Sequence, residues 1–186
     1  MEEIQFYLDE AKESMQKSVK HTEIELQKIR AGKAMPNMLD GIMVDYYGTK
    51  TPIAQVAAVN TPDARTIAVK PWEKKMIAEI EKAIRDSDLG INPTNDGDLI
   101  RINIPPLTEE RRKSLVKQAK SEAENGKVRI RSIRKTTNED LKKLLKDGAP
   151  EDAIKKAEET VQQLTDSHIT KIDQILAAKE TDILTI

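Results

Sequence analysis

Cysteine is absent from the 186-residue sequence, which excludes disulfides, thiol nucleophiles and cysteine-held zinc or iron–sulfur centres. A reducing compartment is the expectation. Aromatic residues make up only 3 %, too few for a compact aromatic-rich core, while 34 % of the residues are charged, as in long solvated helices. Histidine occurs twice, as His21 and His168, so little is available for base catalysis or imidazole ligation. No apolar run approaches the roughly 20 residues that span a bilayer. The opening MEEIQFYLDEAKE is acidic and interrupted by charge, unlike a secretory or organellar leader. These features predict a soluble cytoplasmic protein with no membrane partner.

Glycine and proline are scarce in two places and crowded in a third. Seven of eight prolines and five of seven glycines lie between Gly32 and Pro106, and such a concentration of breakers marks a change of architecture. Before it, Ile4, Leu8, Ala11, Met15, Thr22, Leu26 and Ile29 recur at helical spacing, predicting an amphipathic helix that ends near Gly32. After it, two prolines, Thr108 as N-cap and the acidic Glu109 and Glu110 predict a helix start. The seam Leu115, Ala119, Ala123, Gly126, Ile130, Ile133, Thr137, Leu141, Leu144 runs through Asn125-Gly126 without a phase slip. One helix of about 40 residues, about 60 Å long, is the reading, with a helical hairpin at Gly126 as the alternative. A third helix follows Pro150, with Ile154, Ala157, Val161, Leu164, His168, Ile172 and Ile175 as its seam.

Between the flanks, IMVDYY, RTIAVKPW and LIRINI read as strands and EKKMIAEIEKAIRDSD as a helix with Met76, Ile77, Ile80 and Ile84 inward. The first helix cannot bury its stripe alone, so it pairs with the two helices beyond the insertion. The expected fold is therefore α+β: a discontinuous three-helix bundle from residues 1–30 and 106–186, and an inserted small β/α/β domain over 31–105. The crossings near 31–33 and 104–106 are candidate hinges, at Ala31, Gly32, Ile104, Pro105 and Pro106.

The formal net charge of −1 conceals a strong local imbalance. From Arg111 to Lys135, ten lysines and arginines face only Glu122 and Glu124, a net of +8 that leaves −9 for the rest of the chain. On a helix, Lys113, Lys117, Lys120, Lys127, Arg131, Arg134 and Lys135 share one face, interrupted by Glu124. Such a ridge suits the phosphates of structured RNA, and the lack of interleaved aromatics argues against stacking on single-stranded bases. A basic face also serves elsewhere as a solvated surface or as the partner of acidic neighbours. The first helix offers Glu2, Glu3, Asp9, Glu10, Glu13, Glu23 and Glu25 for that purpose. Salt-dependent RNA binding separates the two readings.

Enzyme signatures fail. Ala31-Gly32-Lys33 lacks the earlier glycine of a phosphate loop, where Gln27 stands, and follows no strand. Asn95 to Asp98 lacks the further ligands of a calcium loop and reads as a turn. His168 on its seam reads as packing. Trp72 reads as a core or interface aromatic. Nothing assembles a nucleophile, base and orienting group, so no enzyme, metal or cofactor is expected.

Five motifs in order carry a family resemblance: KIRAGKAMP at Lys28–Pro36, LDGIMVDYYGTKTP at Leu39–Pro52, EKAIRDSDLGINP at Glu81–Pro93, IPPLTEERRK at Ile104–Lys113 and VRIRSIRKTTN at Val128–Asn138. Along essentially its whole length the chain resembles bacterial ribosome recycling factors. The resemblance implies an L-shaped monomer, with the bundle on large-subunit ribosomal RNA in the intersubunit region and the small domain facing elongation factor G. It implies a non-enzymatic translation factor that, with elongation factor G and GTP, splits the post-termination ribosome. By position it implies RNA contacts at Arg30, Lys33, Lys127, Arg129, Arg131, Arg134 and Lys135. Lys33 and Lys135 stand where the family commonly has arginine, and His168 where a small residue is usual. Two other functions remain open: a general adapter or chaperone for structured RNA, and a purely structural bundle whose basic face pairs internally.

Overall fold

The computed structural model describes residues 1–29, 32–87, 89 and 91–185. It divides into two compact units, Met1–Ala31 with Glu109–Ile186, and Gly32–Thr108. Among the described residues the first contains α1 (Glu2–Gln27), α4 (Glu109–Lys146) and α5 (Glu151–Leu184). The second contains the one-turn α2 (Ile53–Val56), α3 (Ile77–Arg85) and six strands.

α4 runs for 38 residues without a break at Asn125-Gly126, so the hairpin alternative is excluded. Its stop is chemical as well as geometric. Gly148 adopts φ +99°, and the Ala149 and Gly148 N–H groups donate to the Leu144 and Leu145 carbonyls at 3.0 and 3.2 Å, closing the last turn before Pro150 begins α5. α1 stops at Gln27, two residues before the last residue of its stripe, Ile29, which is still buried.

The helical seams bury Met15, Ala123, Ile130 and Ile172 in one cluster, and Leu141, Ile154, Ala157 and Val161 in another. Three polar residues on these seams, Thr22, Thr165 and His168, turn back onto their own helix, as buried polar groups do when no other partner is near. Thr22 donates to the Ser18 carbonyl at 2.9 Å and Thr165 to the Val161 carbonyl at 2.8 Å. His168 is buried and its Nδ1 lies 2.6 Å from the Leu164 carbonyl, which only accepts, so Nδ1 is the donor; Nε2 has no partner among the described residues. The packing role read for His168 is the one observed.

In the small unit, β3 (Ala57–Asp63), β4 (Thr66–Pro71), β6 (Ile100–Asn103) and β5 (Pro93–Asn95) form an antiparallel sheet in the order β3-β4-β6-β5. β1 (Met43–Tyr46) and β2 (Thr49–Pro52) form a separate hairpin. The predicted strands appear as β1, β4 and β6, while β2, β3 and β5 carry too much Thr, Asn and Pro to be read as strands. Asn95 to Asp98 is the turn expected: Gly97 takes φ +93° and donates to Asn95 Oδ1 at 2.7 Å. Leu39, Val44, Ile67, Val69, Ile80, Ile84, Ile100 and Ile102 fill the core.

One polar clamp holds the hairpin. The Tyr46 and Tyr47 hydroxyls donate to the two oxygens of Glu73 at 2.6 and 2.8 Å, and Tyr47 sits at φ +50° in the hairpin turn. These bonds hold the Glu73 carboxyl below its usual range and push both phenols above theirs. Trp72, next to Glu73, is 67 % exposed, which excludes the core half of its core-or-interface reading. Ile104 is buried and donates to the Arg65 carbonyl at 2.7 Å, which anchors it in this unit, whereas Pro105 and Pro106 are exposed. Gly32, at φ +73°, lies against Leu107: a Cβ there would meet Leu107 Cγ at 2.6 Å.

Candidate nucleic-acid interface

The middle of α4 is organised by a missing side chain. A Cβ on Gly126 would stand 2.3 Å from Thr22 Oγ1 on α1 and 3.0 Å from Ile172 Cδ1 on α5, so three helices meet at this glycine. The contacts also set the chain directions. Thr22 lies by Gly126 while Tyr7 and Asp140 line one cleft, so α1 and α4 are antiparallel. α4 and α5 are antiparallel as well, because Lys127 meets Asp173 and Lys120 meets Glu180.

Around this junction the basic residues of α4 divide into three groups. Toward α1, half-buried Arg129 donates from Nη2 to Thr22 Oγ1 at 3.2 Å, and its Nε is buried without a partner among the described residues. Its charge also reaches Glu25, whose carboxyl is held below its usual range chiefly by the 2.8 Å hydrogen bond from Lys28. Toward α5, Lys127 pairs with Asp173, its side chain only 19 % exposed, and Lys120 lies 3.8 Å from Glu180, an ion pair without a hydrogen bond. Away from both helices, exposed Arg131 pairs with Glu124 at 3.0 Å. Half-buried Arg134, seven residues beyond Lys127 on the flank toward α5, and exposed Lys135 make no hydrogen bond or ion pair among the described residues.

The structure therefore gathers Lys127, Arg129, Arg131, Arg134 and Lys135 within a little over two turns of α4, in unequal states. The ion-pair partners of Lys120, Lys127 and Arg131 lie on α5 and on α4 itself, while on α1, to which the sequence points, Glu25 is reached by the charge of Arg129. Lys33 lies in the small unit and is half-buried. Arg30 and Ala31 lie outside the described residues. Among the described residues no three His, Cys, Asp or Glu side chains gather as a metal site would require. Nor is any helix among them long and apolar enough to cross a membrane.

A family model described as ribosome recycling factor matches residues 22–184. The chain belongs to the ribosome recycling factor family. Among the similar sequences are the ribosome-recycling factors of Cytophaga hutchinsonii, 64 % identical, and Amoebophilus asiaticus, 61 % identical, each over 186 residues and the whole of both chains. A solution structure of a ribosome recycling factor is 36 % identical with a TM-score of 0.75 and full coverage of both chains. Another structure, of the T. thermophilus ribosome recycling factor and E. coli elongation factor G bound to the E. coli post-termination complex, is 46 % identical with a TM-score of 0.61. It covers 98 % of this chain and 99 % of that one.

Ribosome recycling factors are translation factors, not enzymes, and the helix-rich unit with a small antiparallel sheet unit is the α+β fold of this family. Sequence reasoning missed three residues that decide the state of this ridge: Thr22, Asp173 and Glu180. Thr22 had been placed on the buried stripe, and nothing in a linear pattern marks it as the acceptor for Arg129. The seven-residue spacing of Asp173 and Glu180 was the available signal for the other two.

Proposed function

We propose that this chain recycles ribosomes after termination in the cytoplasm, binding large-subunit ribosomal RNA as a monomer and, with elongation factor G and GTP, splitting the post-termination complex. The observation that carries the reading is the facet formed by Arg131, Arg134 and Lys135 on a rigid 38-residue helix, in a chain of this family. Their guanidinium and ammonium groups supply charge-assisted hydrogen bonds to phosphate oxygens. Arg131 reaches phosphate by exchanging an exposed carboxylate, Glu124, for it. Arg129 and Lys127, held by Thr22 and Asp173, contribute less.

The small unit is the part on which elongation factor G acts, and Pro105 and Pro106, with Ala31 and Gly32, form the pivot. The energy comes from GTP hydrolysed by the partner. A crosslink that ties the two units together therefore leaves ribosome binding intact and abolishes splitting; normal splitting by crosslinked protein would end the pivot reading.

Light scattering of bacterial post-termination ribosomes tests the whole. A fall in scattering that requires this protein, elongation factor G and GTP together is expected. No fall, with a matched elongation factor and an active recycling factor as control, would leave only an RNA-binding bundle. Arg131→Ala and Arg134→Ala each weaken ribosome binding by about 1 to 3 kcal/mol, the range for charge-assisted hydrogen bonds. Unchanged affinity in the double variant would remove this facet from the interface.

A further inference from the structure

On α5, Asp166, Asp173 and Glu180 recur every seven residues, a spacing that keeps them on one flank of the helix. Because α4 is antiparallel, the facing residues descend by seven in step: Asp173 takes Lys127 and Glu180 takes Lys120. One step further the same register brings Arg134 to the level of Asp166, yet that pair is not closed. Asp166 accepts instead from Gln162 Nε2 at 2.8 Å, and Arg134 has no partner among the described residues. The row thus occupies two cations of the ridge and leaves the third open.

Stability is a weak reason for this arrangement. Each pair has one partner open to solvent, Asp173 at 52 % against Lys127 at 19 % and Lys120 at 64 % against Glu180 at 28 %, and ion pairs screened in this way add about 0 to 1 kcal/mol to folding. Toward a polyanion the same pairs matter more, because each cation that meets a phosphate releases a counterion and adds about 0.9 to the salt slope. A ridge with every cation free gains affinity for phosphate without regard to sequence.

We infer that the acidic row of α5 is a specificity device: Asp173 and Glu180 withhold Lys127 and Lys120 from phosphate, which separates the facet of Arg131, Arg134 and Lys135 from the exposed Lys117 and makes that facet the main RNA-recognition surface. Only an RNA whose phosphates fit that facet is then bound tightly. The inference rests on the proposed RNA-binding role of the ridge and adds two residues that reject wrong partners.

The test uses the full chain with two probes, bacterial large ribosomal subunits and an unrelated RNA hairpin, titrated across a range of KCl. For D173N/E180Q, affinity for the hairpin rises about tenfold and the salt slope steepens by about two, one increment for each released lysine. Affinity for the ribosomal subunit rises less, so discrimination falls. Asp166→Asn is the control: it removes the same charge as Asp173→Asn without releasing a paired cation, and raises hairpin affinity less. Thermal melting accompanies each variant, and a purely structural row lowers the melting temperature without raising any affinity.

Three outcomes decide. If D173N/E180Q leaves hairpin affinity and slope unchanged while Arg131→Ala and Arg134→Ala weaken subunit binding, the device is refuted and the ridge stands. If Asp166→Asn matches Asp173→Asn, net charge alone is at work and the withholding of particular lysines is refuted. If the arginine variants bind subunits as well as the parent, the ridge itself falls and the inference with it.

Discussion

The cores of the two units solve the same problem with different materials. In the small unit the buried cluster from Leu39 to Ile104 is wholly apolar. All four buried polar residues among the described ones, Thr22, Thr137, Thr165 and His168, lie in the helical unit, as does Gly126. The difference concerns register. Hairpin turns and strand alternation fix which residues face each other in a sheet, because a one-residue slip turns every side chain to the wrong face. Long helices with regular stripes can slide by a turn and still bury apolar surface. A glycine notch filled by Thr22 and Ile172 admits one axial offset, and Thr22, Thr165 and His168 tolerate burial by bonding to their own backbone.

The comparison breaks most severely in the small unit. Ile102→Ala, at a fully buried position in the centre of the sheet, costs about 2 to 5 kcal/mol by transfer and cavity formation. Denaturant unfolding followed by circular dichroism should show the sheet unit lost while α1, α4 and α5 persist. A single cooperative transition for the whole chain would instead show the two cores to be energetically one.

The notch is tested next. Gly126→Ala gains roughly 1 kcal/mol of intrinsic helix propensity, yet the added methyl meets Thr22 and Ile172, and overpacking of this kind costs about 1 to 3 kcal/mol. The expected result is a net loss of stability, partly recovered in G126A/T22A because the two sites are coupled. A stabilised single variant would remove the notch from the account of register.

The smallest effect is acidic. Glu73 has its carboxyl pKa lowered from 4.5 by the Tyr46 and Tyr47 hydroxyls, so the clamp's contribution is complete above the unfolded value and disappears as pH falls through the folded one. Glu73→Gln removes this part of the acid sensitivity of the small unit. It also lets both phenols titrate closer to their ordinary value of 10.0, seen as tyrosinate absorbance appearing at lower pH. Phenols that titrate as in the parent would show that the clamp is not closed in solution.

Much of this molecule is legible in one dimension, wherever periodicity and breakers speak together. α4 could be read through Asn125-Gly126 because the seam keeps phase across them, and its end because Gly148 and Pro150 stop a helix for separate reasons. β2, β3 and β5 were not legible. TKTP, AAVNTPD and PTN carry no strand pattern, and they are strands because β1, β4 and β6 supply the hydrogen-bonding partners. Trp72 reads from sequence as core or interface, and only the fold separates the two by turning it outward.

The sequence alone determined the helices, the insertion between them, the family likeness and the angular position of each basic residue around α4. The tertiary structure decided which of those residues remain available. Lys127, Arg129 and Arg134 sit on one helix at spacings anyone can count, but Asp173 takes the first, Thr22 holds the second, and the third is left open. The reason is physical: helical periodicity is local and fixes direction, whereas an ion pair between helices depends on their axial register. That register is set at Gly126, where three helices approach too closely for a side chain.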